Sequence, residues 1–85
     1  MSECKIDDVG NKRWYKNGEL HRVDGPAIEY RYGSKVWCKD GQRHRTGGPA
    51  IEWADGDKEW WVNGKRYDEA EFILLQFTKG ITVNE

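Results

Sequence analysis

With 85 residues and a formal charge of −1, from 14 lysines and arginines against 15 acids, the chain is a single small domain (1–85), too short for two packed lobes or for an enzyme fold of about 150 residues or more. The near-neutral balance gives no electrostatic case for binding a phosphate backbone or a membrane surface. Charged residues at 34% and a mean hydropathy of −0.99 would suit disorder, but five Trp, four Tyr and two Phe argue for a folded, aromatic-rich domain.

No apolar run approaches the ~18 residues of a membrane span, and the first residues lack the apolar stretch of a signal peptide. Cys4 and Cys38 are too few for a disulfide framework, so the expected setting is reducing and cytoplasmic.

The informative feature is a repeat. Trp14, Trp37 and Trp60 recur every 23 residues, and the two full units, from Trp14 and from Trp37, share 12 of 23 positions without a gap. A partial unit precedes them, because Gly10 and Lys12 stand one period before Gly33 and Lys35. The repeats span residues 10–67. Asn17-Gly18, Asp40-Gly41 and Asn63-Gly64 predict two-residue hairpin turns, since such turns need positive φ at both central positions. Asp24-Gly25-Pro26, Gly47-Gly48-Pro49 and Asp55-Gly56 mark the connections between hairpins. Strands are expected over Arg13–Lys16, Ala27–Tyr32, Val36–Lys39, Ala50–Trp53 and Glu59–Val62.

Two-residue loops place Trp14 opposite His21, Trp37 opposite His44 and Trp60 opposite Tyr67. Alternation puts Tyr15, Leu20 and Arg22, then Cys38 and Arg43, then Trp61 and Arg66, on the other face. A residue that recurs fills the same structural slot, so the Trp–His face is expected to be packed, joined by Ile28, Tyr30, Ile51 and Trp53. The varied face is then the candidate partner surface: Tyr15, Arg22, Tyr32, Arg43, Trp61 and Arg66, a mixture of aromatics and arginines that suits protein hot spots.

The period ends after Tyr67, and 68–85 reads as a C-terminal helix and tail. Asp68-x-x-Glu71 is a capping-box start, and Phe72, Ile73, Leu74, Leu75 and Phe77 follow with little polar interruption. Such a helix caps the open end of the array. More than one hairpin layer is needed to cover it, so the same five side chains are expected to drive homodimerisation. Gly80 is the expected terminator, with a final strand expected at Ile81–Val83.

His21 and His44 recur beside a turn and read as scaffold, stacked under Trp and bonded to turn backbone. Asp24 is replaced by Gly47 in the second unit, which leaves no shared triad, and Ser34 and Thr46 sit in turns rather than in a nucleophile context. Glu29 and Glu52 read as solvated ladder residues, and Cys38 as a partly exposed thiol. Two histidines and two separated cysteines give no metal site, and no cofactor is expected.

The string W-x-x-N/D-G-x-x-H-R-x-x-G-P-A-I-E, at Trp14–Glu29 and Trp37–Glu52, resembles the MORN-variant repeat, a family that includes YwqK antitoxin-like proteins and many short phage and bacterial proteins. The resemblance implies a stack of β-hairpins forming an elongated, curved antiparallel sheet without catalytic activity. The fold class expected is mainly β, an antiparallel meander of hairpins with a C-terminal capping helix. By analogy with small phage accessory proteins, the expected function is a non-enzymatic module that binds a bacterial protein partner, as a phage-encoded inhibitor of a defence or toxin protein acting by occupancy in the host cytoplasm. The alternatives are an oligomeric sequestering protein for a nucleotide signal and an antitoxin-like or scaffolding repeat protein.

Overall fold

A computed structural model describes residues 3–82, with side chains through residue 75. The strands are β1 (Glu3–Ile6), β2 (Lys12–Lys16), β3 (Glu19–Leu20), β4 (Ile28–Glu29), β5 (Lys35–Val36), β6 (Cys38–Lys39), β7 (Gln42–Arg43), β8 (Ile51–Glu52), β9 (Lys58–Val62) and β10 (Lys65–Tyr67), followed by helix α1 (Glu69–Thr82). The protein is mainly β, an antiparallel meander in which β1-β2-β4-β5-β8-β9-β10 are neighbours, β3 also joins β2, and β6-β7 form a separate pair. It extends over 45 × 31 × 18 Å. Strand β1 was not expected from the sequence, because only Gly10 and Lys12 carry the repeat signal on that side.

Each unit forks at its tryptophan. The Trp14 N–H donates to the Ala27 carbonyl at 2.8 Å, and the Trp14 carbonyl accepts from His21 N–H at 2.9 Å. Trp37 does the same with Ala50 at 2.7 Å and His44 at 3.0 Å. The residues before each Trp therefore pair in one arm, with β4 and β8, while those after it pair in a hairpin with β3, β7 or β10. The expected pairings hold: His21 and His44 bond their tryptophans, and Tyr67 is in register with Trp60. The hairpin turns have φ of 52°, 51° and 51° at Asn17, Asp40 and Asn63, with positive φ at the following glycines, as type I′ turns require.

The register decides which face is the core. Arg13 pairs with Ile28, Ile28 with Val36, Val36 with Ile51, and Ile51 with Glu59. Alternation along the same strands puts Tyr15, Cys38 and Trp61 on that face. The enclosed cluster is Ala27, Ile28, Val36, Cys38 and Ile51, with Leu20, Tyr30 and Trp61 packed against it. This corrects the sequence expectation twice. The varied face of the hairpins, not the Trp–His face, closes on the isoleucines, because Ile28 is in register with Val36 rather than with Trp37. Cys38 is accordingly buried rather than partly exposed, and burial pushes its thiol pKa up against the opposing charge of Arg43.

On the opposite face the register aligns Lys12, Glu29, Lys35, Glu52 and Lys58 as a ladder of alternating charge across five strands. Each acid is also held by an arginine of its own unit, Glu29 by Arg22 at 3.0 Å and Glu52 by Arg45 at 3.2 Å, so they are ion-paired rather than merely solvated.

Helix α1 starts as expected. Asp68 Oδ1 accepts the Glu71 N–H at 2.7 Å, and Glu71 Oε1 accepts the Asp68 N–H at 3.0 Å. It does not stop at Gly80, and Ile81 and Thr82 are helical rather than strand. One interior glycine costs about 1 kcal/mol relative to alanine, too little to end a helix already nucleated. Val83 lies outside the described residues.

Candidate binding groove

The arms diverge from the fork and leave a groove of about 460 Å³ between them. Its floor is the Ile28–Val36–Ile51 row; its hairpin wall carries Leu20, Cys38 and Arg43; Tyr30, Trp53 and Trp61 stand at its sides. The floor follows from the repeat, because Ile28 and Ile51 hold equivalent positions. The side walls follow from its variation, since Trp53 occupies in unit two the place of Tyr30 in unit one.

Glu59 fixes the aromatic wall. It ends the apolar row, at the register position that Val36 fills one unit earlier, on the same face of the sheet. Its Oε2 accepts the Trp53 indole N–H at 2.9 Å and its Oε1 accepts the Trp61 indole N–H at 3.0 Å. Arg66 Nε lies 3.9 Å from the same Oε1, and the Arg43 guanidinium stacks over Trp61 at 4.9 Å. Partial desolvation works to raise the Glu59 pKa, but the two indole bonds with Arg66 and Arg43 outweigh it, and the carboxyl is held below its usual range. One carboxylate thus orients two tryptophans, of which Trp53 remains 38% exposed.

The six expected partner residues do not form one surface. Arg43, Trp61 and Arg66 converge around Glu59. Tyr15 lies on the same strand face, with the Lys5 ammonium 5.5 Å from its ring. Tyr32 is exposed and stacks on Tyr30 at 5.2 Å, beyond the groove wall. Arg22 is on the opposite side, a correction to its assigned face: the chain turns after His21 and lays the guanidinium 3.8 Å over the Trp14 ring, where it also bonds Asp24, the Pro26 carbonyl and Glu29. Arg45 repeats this on Trp37 at 3.8 Å. Gly25 and Gly48 make room for it, since an added Cβ would lie 3.0 Å from Arg22 Cζ and 3.3 Å from Arg45 Cζ. Sequence reasoning missed Tyr30, Trp53 and Glu59 as site residues; the available signal was an aromatic that changes identity at a constant repeat position.

The histidines are built into the stack. His21 Nδ1 accepts the Asp40 N–H at 3.0 Å and His44 Nδ1 accepts the Asn63 N–H at 2.9 Å, so each imidazole bonds the turn of the next hairpin rather than its own. Backbone bonds from Arg22 to Cys38, Gly41 to Leu20, Arg45 to Trp61 and Gly64 to Arg43 complete the same seam. Ser34 is buried, and its hydroxyl accepts the Ala54 N–H at 2.8 Å, as Asn11 Oδ1 accepts the Arg31 N–H at 2.8 Å one unit earlier.

Of the five residues expected to drive self-association, Phe72 is buried against Trp60 at 6.4 Å, Leu75 is half-buried, and Ile73 and Leu74 are 57% and 64% exposed. The Phe77 side chain lies outside the described residues. No helix among the described residues is long and apolar enough to cross a membrane. Comparison of the chain with protein-family models, with curated proteins and with solved structures finds no match.

Proposed function

We propose that the chain is a non-catalytic binding module that receives a protein partner in the groove between its arms. The observation that carries this reading is the pair of indoles held by Glu59 beside an apolar floor. Aromatic side chains fixed before binding lose little entropy when a partner arrives, and Trp, Tyr and Arg dominate interface energetics. The histidines support a scaffold over a catalytic role, because each already accepts a backbone N–H of the next hairpin. In this reading the partner is a bacterial defence or toxin protein blocked by occupancy, as befits a small phage-encoded inhibitor of MORN-variant type.

A nucleotide-sequestering role would use a second groove, of about 740 Å³, lined by Arg22, Lys39, Arg45 and Trp37. Its two guanidiniums are already engaged by Glu29 and Glu52, which favours the protein reading. The test is capture from a bacterial lysate with the parent, Trp53→Ala and Arg43→Glu side by side. One protein retained by the parent and lost from both variants supports the groove. Equal capture by all three overturns it. A melting shift with nucleotides that survives both substitutions assigns the function to the second groove; a ligand at 100 times its Kd adds about 2.7 kcal/mol.

A further inference from the structure

We propose that β1 is a self-recognition edge, which pairs antiparallel with β1 of a second copy about a two-fold axis through Cys4. Strand β1 ends the sheet, and all four of its residues are exposed. Glu3 and Lys5 are in register with Tyr15 and Arg13 of β2, and Asp7, two residues further along, donates its N–H to the Asn11 carbonyl at 3.0 Å. Residues 3, 5 and 7 therefore direct their backbone groups to β2, and Cys4 and Ile6 direct theirs outward, where a strand of a second copy would bond them.

The charges choose the occupant. With Cys4 opposite its own symmetry mate, Glu3 stands opposite Lys5 of the partner subunit, and Lys5 stands opposite Glu3 of the partner subunit. Shifting the partner by two residues either way opposes Glu3 to glutamate or Lys5 to lysine, and shifting by one leaves both charges unmatched. A strand that is complementary to itself in one register specifies a second copy. Glu3 and Lys5 share the face of Tyr15, to which the Lys5 ammonium already leans.

At the opposite end of the array, Asp68 stands where Arg22 and Arg45 send their N–H groups to the following hairpin, and its own N–H is taken by Glu71. Two-fold pairing occupies the β1 edge of both copies, so association through β1 is closed at two copies. It is separate from the groove, which no residue of β1 or β2 lines.

The experiment measures dimerisation of the full chain by sedimentation across concentration. Glu3→Lys and Lys5→Glu should each weaken it about tenfold or more, since two symmetry-related attractions become repulsions. The double exchange, Glu3→Lys with Lys5→Glu, should restore it. A short bis-maleimide should join two copies through exposed Cys4, and Cys4→Ser should abolish the product, Cys38 being buried. A monomer at every concentration overturns the proposal. So does a dimer that tolerates both single exchanges but is lost in Leu74→Glu, which would place the contact on the helix instead. Melting curves of the single exchanges separate lost pairing from lost folding, and a double exchange that folds without dimerising also overturns the edge.

Discussion

The first two tryptophans and the third occupy one position of the repeat and are closed by different chemistry. Trp14 and Trp37 each lie under a guanidinium at 3.8 Å, which is tied in turn to a proline carbonyl and a ladder glutamate. Trp60 lies under Phe72 of the helix. The residue that should have supplied the third guanidinium is Asp68, and it caps the helix that brings Phe72 in. A polar lid leaves its backbone N–H available for the next hairpin, so the stack continues. The helical lid consumes that N–H, so the stack ends. Continuation and termination are two uses of one residue position.

The comparison is broken most severely by Phe72→Ala. Phe72 is the buried residue among the described side chains of the helix, 6% exposed, and its truncation should cost about 3–4 kcal/mol, seen as loss of helical ellipticity and of the third unit before the first two. A cooperative melt unchanged from the parent would show that Trp60 does not depend on the helix. Arg45→Ala comes next, at about 2 kcal/mol, because it removes the stack on Trp37 together with a carbonyl bond and an ion pair whose members are one third exposed. Arg45→Lys should recover less than half of that loss, as an ammonium cannot lie flat on the ring while bonding two oxygens. Full recovery in denaturant titration would mean that charge alone holds the lid. Asp68→Ala should cost about 1 kcal/mol through the lost cap, and Asp68→Asn much less; if the two variants unfold alike, the cap is not what anchors the helix.

The smallest effect sharpens the other end of the array. Asp7 holds the repeat position of Tyr30 and Trp53, and closes its turn with charge. The bond from the Asn11 backbone N–H, opposed by desolvation and reinforced by the Asn11 amide, Arg13 and the Val9 N–H, lowers its pKa from 3.8 to about 2. A depressed folded pKa contributes stability above the unfolded value and loses it as pH falls toward the folded one. The parent should therefore lose a part of its stability between about pH 4 and pH 2 that Asp7→Asn never has. Parallel acid-unfolding profiles for the two proteins would count against the turn.

Much of this was legible in the residues. The 23-residue period, the three Asn/Asp-Gly turns, the Trp–His pairings and the Asp68–Glu71 cap follow from local chemistry, and local chemistry is what a sequence displays. The choice of core face was not. It depends on whether Ile28 meets Val36 or Trp37 across strands, a one-residue register that no residue type announces and that inverts every side chain when it shifts. The groove was hidden for the same reason: Glu59 becomes a clasp for Trp53 and Trp61 only once β8 and β9 are aligned. Gly80 misled because a glycine that ends one helix is tolerated within another.

The fork at each tryptophan also makes the molecule a ruler. Every unit adds two strands to the floor of the groove and one hairpin to its wall, with its bonds to neighbours made through the same few backbone groups. Inserting a further copy of 23 residues between the second and third units would lengthen the floor by about 10 Å, two strand spacings, while leaving β1 at one end and the helix at the other in their present surroundings. Groove length is thus set by the number of units and not by the sequence of any one of them, and reach could change by whole steps without redesign of either end.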